Sequence, residues 1–204
     1  MTDILRRPEP SRADTREGSL ALAEAAGAGD PAALEELLRM LAPSLLAVVK
    51  AVMGAGHPDR DDVLQECLIA VVDALPAFEG RSSVSRYASR ITLRLCLERR
   101  ARARTQKQRF RLTPEPDAIA EDGEDADASR RREALRALLD ELPVVQAETL
   151  AMRVCLGMSL EEISEGTGAP INTVRSRVRL AREALRHRIE SDPALAELLT
   201  GSLA

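Results

Sequence analysis

Aromatic residues are almost absent: the 204 residues include no Trp, one Tyr and two Phe. A sheet-rich fold draws on aromatic and β-branched residues, so this scarcity disfavours one. Histidine is nearly as rare, with only His57 and His187. The three cysteines, Cys67, Cys96 and Cys155, form no CxxC and have no histidine near them in sequence. That pattern argues against a metal site, and each cysteine is expected as a small buried hydrophobe within a helix. No long apolar run exists either. The longest, Leu45 to Gly56, is interrupted by Lys50, and the first 18 residues lack the apolar core of a signal peptide. A cytoplasmic protein without membrane insertion is therefore expected. An excess of positive charge is also missing, because the formal net charge is −4. Finally, no nucleophile–base pair and no phosphate-binding glycine loop occurs, so an enzyme is not expected and no cofactor is called for.

What is present is Ala, Leu, Arg and Glu, with 45% hydrophobic residues in all. This composition favours helices with ordinary cores. The charges are segregated. Residues 81–111 carry eleven Lys or Arg against Glu98 alone, and residues 171–190 carry six Arg against two Glu. The remainder is strongly acidic, so the chain has two basic patches on an acidic body, an arrangement suited to local contact with phosphates.

Residues 1–18, with Pro8 and Pro10, read as a disordered tail. A first helical domain is predicted over 19–111. It opens with a short helix at about 19–27, and Asp30-Pro31 then supplies a cap and a first-turn proline for a second helix. A third helix runs from near Asp59 to Pro76, and a long basic one from Ser83 to about Gln108. Residues 112–129 carry seven acidic residues and no basic one, together with two prolines and a glycine, the composition of an extended linker. A second domain follows over 130–190, with helices at about 130–141 and 143–156. Ser159 and Glu162 then form a capping box for a helix to about Glu165. A turn from Gly166 to Pro170 leads into INTVRSRVRLAREALRHRIE, which places Val174, Val178, Ala181, Leu185 and Ile189 on one face and Arg175, Arg179, Arg182 and Arg186 on another. A tail over 191–204 holds a short apolar helix at about 194–199. The fold class is thus all-α: two small helical domains joined by an acidic linker, the second a helix-turn-helix.

In a helix-turn-helix the second helix enters the major groove with its N-terminal part. Thr173, Arg175, Ser176, Arg179 and Arg182 are the candidate contacts to bases and phosphates. The basic segment 81–111 is ambiguous by itself, since a basic face indicates either phosphate attraction or a solvated helix. Paired with a second basic element across a linker, it suggests two-point DNA binding.

These features resemble those of the sigma-70 family of RNA polymerase sigma factors, in its extracytoplasmic-function (ECF) group, over about residues 20–190. DDVLQE at 61–66 is similar to the family's acidic segment. PAFEGRSSVSRYASRITLRLCLERRARAR is similar to its start-proximal promoter reader. LPVVQAETLAMRVCLGMSLEEISEGTGAPINTVRSRVRLAREAL is similar to its upstream-element reader. The resemblance implies that Asp61, Asp62, Gln65 and Glu66 contact the polymerase core, although acidic first-turn residues also suit a helix dipole. It implies that the loop Phe78, Glu79, Gly80, Arg81, Ser82 and Ser83 captures an extruded base, and that Arg94, Arg99 and Arg100 bind neighbouring promoter DNA. It further implies RNA polymerase core and promoter DNA as partners, with an anti-sigma factor as regulator. The chain departs from the family pattern at four places: Tyr87 stands where Trp is usual, Val84 where Phe is common, Arg94 for Asn and Glu98 for Asp. Tyr87 and Val84 read as core residues. Two other readings stay open, a sigma-like decoy that sequesters an anti-sigma factor and a dimeric helix-turn-helix regulator.

Overall fold

The computed structural model describes residues 16–110 and 126–200. Of the tail predicted over 1–18 and the linker predicted over 112–129, residues 1–15 and 112–125 lie outside them. The described residues are helical, with no strand among them: α1 (Arg16–Gly27), α2 (Pro31–Met53), α3 (Arg60–Ala74), α4 (Val84–Phe110), α5 (Ala126–Glu141), α6 (Val144–Val154), α7 (Leu160–Thr167), α8 (Ile171–Glu190) and α9 (Pro193–Thr200). A 3-10 turn, Leu75–Ala77, follows α3 and absorbs Pro76.

Helix starts follow local chemistry. Asp30 accepts hydrogen bonds from the N–H groups of Ala32 (2.9 Å) and Ala33 (3.3 Å), and Pro31 fills the first helical position, where a missing N–H costs nothing. Ser159 accepts from the N–H of Glu162 (3.0 Å), whose carboxylate accepts from the N–H of Ser159 (2.8 Å), the reciprocal pair expected from the sequence. Gly168 ends α7 in the left-handed region at φ 69°, which a side-chain-bearing residue resists. Two boundaries fall earlier than expected. Residues 126–129, read as linker, form the first turn of α5, where Asp127 suits the positive helix end and pairs with Arg130 at 3.0 Å. Residues 16–18, read as tail, form the first turn of α1 with Glu17.

The first half packs α1, α2, α3 and the start of α4 around Leu37, Leu41, Leu45, Val71 and Val84, all essentially without solvent exposure. Each such side chain contributes about 1.5–3 kcal/mol of transfer free energy. The second core does not respect the linker. Val49, Val63, Cys67, Leu93 and Cys96 of the first half share one buried cluster with Met152, Ile163, Val174 and Ala181 of the second. The middle of α4 therefore forms part of the wall against which α6 is packed. Cys67 and Cys96 are buried as expected. Cys155 is not: α6 ends at Val154, so the chain turns away from the core and leaves Cys155 exposed. The tail predicted to begin at 191 continues as α9, which packs on α5 and α8. Asp192 accepts from the N–H of Leu195 (3.2 Å) and pairs with Arg188 (3.0 Å), and these bonds hold its carboxyl below the usual range.

Candidate nucleic-acid interface

α7, the Gly168–Pro170 turn and α8 form the helix-turn-helix. Val174, Val178 and Ala181 bury one face of α8 at spacings of four and three, which rotates the arginine stripe outward. Arg175, Ser176, Arg179 and Arg182 are exposed, and Thr173 is half-buried at the first turn. Their intrachain partners are weak and local. Arg175 donates to the Asn172 side chain (3.3 Å) and Arg179 pairs with Glu183 (2.8 Å), both on α8 itself. Exposed pairs of this kind contribute about 0.2–1 kcal/mol and are readily exchanged for phosphate. A shallow groove of about 350 Å³ runs beside Leu160 and Val178, edged by Arg175, Arg179, Arg182 and Arg186. The surface can therefore present cations along a groove-sized helix with little internal competition.

The long helix α4 differs. Ser83 accepts from the N–H of Arg86 (3.3 Å), so its hydroxyl caps α4. The preceding loop is shaped by Gly80, whose φ of 68° strains any residue with a side chain, and a Cβ there would press on the Leu20 methyl of α1 at 3.0 Å. Arg81 pairs with Glu79 at 2.5 Å. The Phe78 and Tyr87 rings sit 4.9 Å apart at 44°, and the Arg90 guanidinium lies 5.3 Å from the Tyr87 centroid. Tyr87 is half-buried rather than core, since its hydroxyl donates to the Ala74 carbonyl at 3.0 Å and needs that polar edge. Val84 is core, at 1% exposure. Loop and helix together border a cavity of about 550 Å³ whose far wall comes from the helix-turn-helix: Met158, Glu162, Glu165 and Gly166.

Of the remaining candidate arginines of α4, Arg99 and Arg100 have partners on other elements and Arg94 has one on α4 itself. Arg94 pairs with Glu98 (2.9 Å) on its own helix. Arg99 forms a two-bond contact with Glu66 (2.8 Å to each oxygen) and reaches Asp59 (3.2 Å). Two sets of residues that the sequence assigned to different partners, polymerase and DNA, are thus tied together. Arg100 is the most enclosed of the three, with its side chain 15% exposed. It grips Asp140 of α5 with two bonds (2.8 and 2.6 Å) and donates to the Val52 carbonyl (3.2 Å). Asp61, Asp62, Gln65 and Glu66 all lie exposed along α3, with Asp61 paired to Arg60 at 3.2 Å.

Sequence reasoning missed Arg86, Arg90, Arg136 and Asp140. Arg86 pairs with Glu162 across the cavity. Arg90 lies directly against Gly166, where a Cβ would collide with its guanidinium, and burial lowers its affinity for a proton. Arg136 donates to the Ala51 (3.0 Å) and Lys50 (3.4 Å) carbonyls at the C-terminal end of α2. No spacing rule signals such pairs, because their partners lie 40 or more residues away.

Comparison with known proteins yields matches in both halves. The family described as Sigma-70 region 2 matches residues 37–106, and that described as Sigma-70, region 4 matches residues 132–185. The ECF RNA polymerase sigma factor SigD of Mycobacterium tuberculosis is 30% identical over 181 residues, covering 79% of each chain. The RNA polymerase sigma-H factor of Pseudomonas aeruginosa is 29% identical over 201 residues, covering 91% of this chain and 97% of that protein. Among solved structures, CnrH bound to the cytosolic domain of CnrY aligns with a TM-score of 0.55 at 21% identity, over 85% of this chain and 97% of that one. The sigma factor RpoE of Bartonella quintana, bound to the anti-sigma factor NepR, aligns with a TM-score of 0.51 at 23% identity, over 78% and 97%.

Proposed function

The chain belongs to the sigma-70 family, in its ECF group, and on that premise we propose that it recognises two promoter elements through its two basic helices. It is a sigma factor that directs promoter-specific transcription initiation by RNA polymerase. Members of the family are initiation factors and perform no covalent chemistry themselves. Thr173, Arg175, Ser176, Arg179 and Arg182 read the upstream element. The loop from Phe78 to Ser83 takes up a base of the melted strand, and Arg94, Arg99 and Arg100 hold the adjacent DNA. Asp61, Asp62, Gln65 and Glu66 meet the polymerase core.

The observation that carries this reading is the outward arginine face of α8, free of interhelix partners, on a helix-turn-helix whose cap and turn are intact. The exposed acidic row on α3 supports the polymerase contact. One of the aligned structures is a complex of a sigma factor with an anti-sigma factor, and an anti-sigma partner is part of the reading of this chain. A factor that works on DNA with RNA polymerase acts in the cytoplasm; separately, no helix among the described residues is long and apolar enough to cross a membrane.

In vitro transcription with purified core polymerase tests the proposal. A transcript from a discrete start site, dependent on this chain, is the expected result. Binding to core polymerase or to an anti-sigma factor without any such transcript would favour the decoy. Dependence on a palindromic site in the absence of polymerase would favour a dimeric regulator.

A further inference from the structure

The cavity bordered by the capture loop, the first turns of α4 and α7 holds charges that no protein group answers. Its volume, about 550 Å³, falls within the roughly 300–1,000 Å³ typical of small-molecule sites. The half-buried Phe78 ring, stacked against Tyr87, gives it an aromatic border. Arg90 gives it a half-buried cation, which lies 5.3 Å from the Tyr87 centroid and against Gly166, where the missing side chain leaves room for the guanidinium. Among the described residues Arg90 makes no hydrogen bond and no ion pair, and Glu148 attracts it only at longer range. A guanidinium taken partly out of water without an acceptor is costly until an anion meets it. Glu165, on the α7 wall, is exposed and likewise makes no hydrogen bond or ion pair among the described residues. The other charges of the lining are already matched, Arg81 by Glu79 and Arg86 by Glu162. One cation, one carboxylate and one aromatic ring are thus left for a ligand.

We propose that this cavity binds a free guanine nucleotide, with the base against Phe78 and its N1–H and N2–H groups on Glu165, and with the phosphate on Arg90. A planar guanidinium matches phosphate oxygens two at a time. Guanine places two donors side by side on one edge, which a single carboxylate accepts together, whereas adenine offers one. An anion alone would satisfy Arg90 but leave Glu165 and Phe78 unused, so inorganic phosphate is the weaker ligand. The proposal rests on the reading of Phe78 to Ser83 as the capture loop and adds a small-molecule competitor at that site. A nucleotide in the cavity occupies the place of the extruded base, which makes strand capture by this chain sensitive to guanine nucleotide concentration.

The test is calorimetric titration of the full chain with GDP, ADP and inorganic phosphate. Wild type should bind GDP saturably at one site, about tenfold or more tighter than ADP or phosphate. Glu165→Gln, a change at an exposed residue, should weaken GDP about tenfold and leave ADP unchanged, so that the preference disappears. Arg90→Gln should weaken GDP and ADP alike, and Arg90→Lys, which keeps the charge, should recover part of the loss. Melting followed by circular dichroism checks that each variant is folded, and Glu165→Gln carries the test if the Arg90 variants are not. In a separate anisotropy assay, GDP should displace a fluorescent non-template single strand from the wild type at concentrations where ADP does not. No saturable GDP binding up to about 1 mM, equal affinity for GDP and ADP, or GDP binding unchanged by Glu165→Gln would each overturn the site. GDP that binds while leaving a bound single strand in place would also overturn it. GDP binding with the expected variant pattern, in a chain that binds no single strand, would support the nucleotide site and count against the capture-loop reading instead.

Discussion

The outward arginines of α8, Arg175, Arg179, Arg182 and Arg186, and the arginines of α4 are opposite in circumstance. On α8 these four project from a helix anchored by Val174, Val178 and Ala181, and the partners of Arg175 and Arg179, Asn172 and Glu183, lie on the same helix, while Arg188 at its end pairs with Glu141 of α5. On α4, Arg86, Arg99 and Arg100 are held by carboxylates from α7, α3 and α5. A cation on the first helix reaches a phosphate at small cost, and one on the second must first give up a partner. Basic composition therefore measures potential DNA contact, and the intrachain carboxylates decide how much of it is available.

Four measurements would break or sharpen that contrast. The largest effect concerns the core beneath both helices. Leu93→Ala should cost about 2–5 kcal/mol, and thermal unfolding should show both halves losing stability in one shifted transition, because Leu93 packs in the cluster they share. Two separate transitions, only one of them shifted, would mean that the halves fold independently. Next, Arg179→Ala should weaken upstream-duplex binding by about 1–3 kcal/mol in an anisotropy titration and leave core-polymerase affinity unchanged. Equal loss of both would indicate misfolding or a misassigned face. Third, Arg182→Ala should lower the slope of log affinity against log salt by about 0.9, as expected for one lost phosphate contact. Arg99→Ala should change the free chain's upstream-duplex slope much less, since Glu66 and Asp59 already neutralise that cation. Equal changes would erase the distinction drawn between the helices.

The smallest effect concerns Glu148, on α6 facing α4. Burial pushes its carboxyl above the ordinary 4.5, offset in part by Arg94, Arg90 and Arg177, with Glu98 adding to the rise. A raised folded-state value means that the associated stability is fully present below the unfolded value and is lost as pH rises through the folded one. Glu148→Gln should therefore raise the melting temperature at pH 7 and change it little at pH 4, measured by circular dichroism. A larger gain at the acidic end would reverse the assignment.

Much of this architecture was legible in the residues. Asp30-Pro31, the Ser159/Glu162 box and the alternation of Val174, Val178 and Ala181 with arginines act over a turn or two of helix, so spacing reveals them. The docking of the halves was not legible. Arg100 and Asp140 lie 40 positions apart on either side of the acidic segment, and any of a dozen arginines could have met any carboxylate. Cys155 illustrates a finer failure. Its neighbours Val154 and Leu156 suggested burial, but α6 stops at Val154, which is itself 66% exposed, and one turn of helix decides the matter. Among the site residues, Asp61, Asp62, Gln65 and Glu66 on α3 and Arg175, Ser176, Arg179 and Arg182 on α8 are exposed, while Ser83 spends its hydroxyl on capping α4.

The shared core also sets an order of events during synthesis. The apolar face formed by Val52, Leu93, Cys96 and Leu97 is finished long before Met152, Ile163 and Val174 are made to cover it. At roughly 5–20 residues per second, the nascent first half waits on the order of 5–15 s with that face bare. The growing chain is stickiest in that interval, and a truncated product ending in the acidic segment would keep that face uncovered permanently.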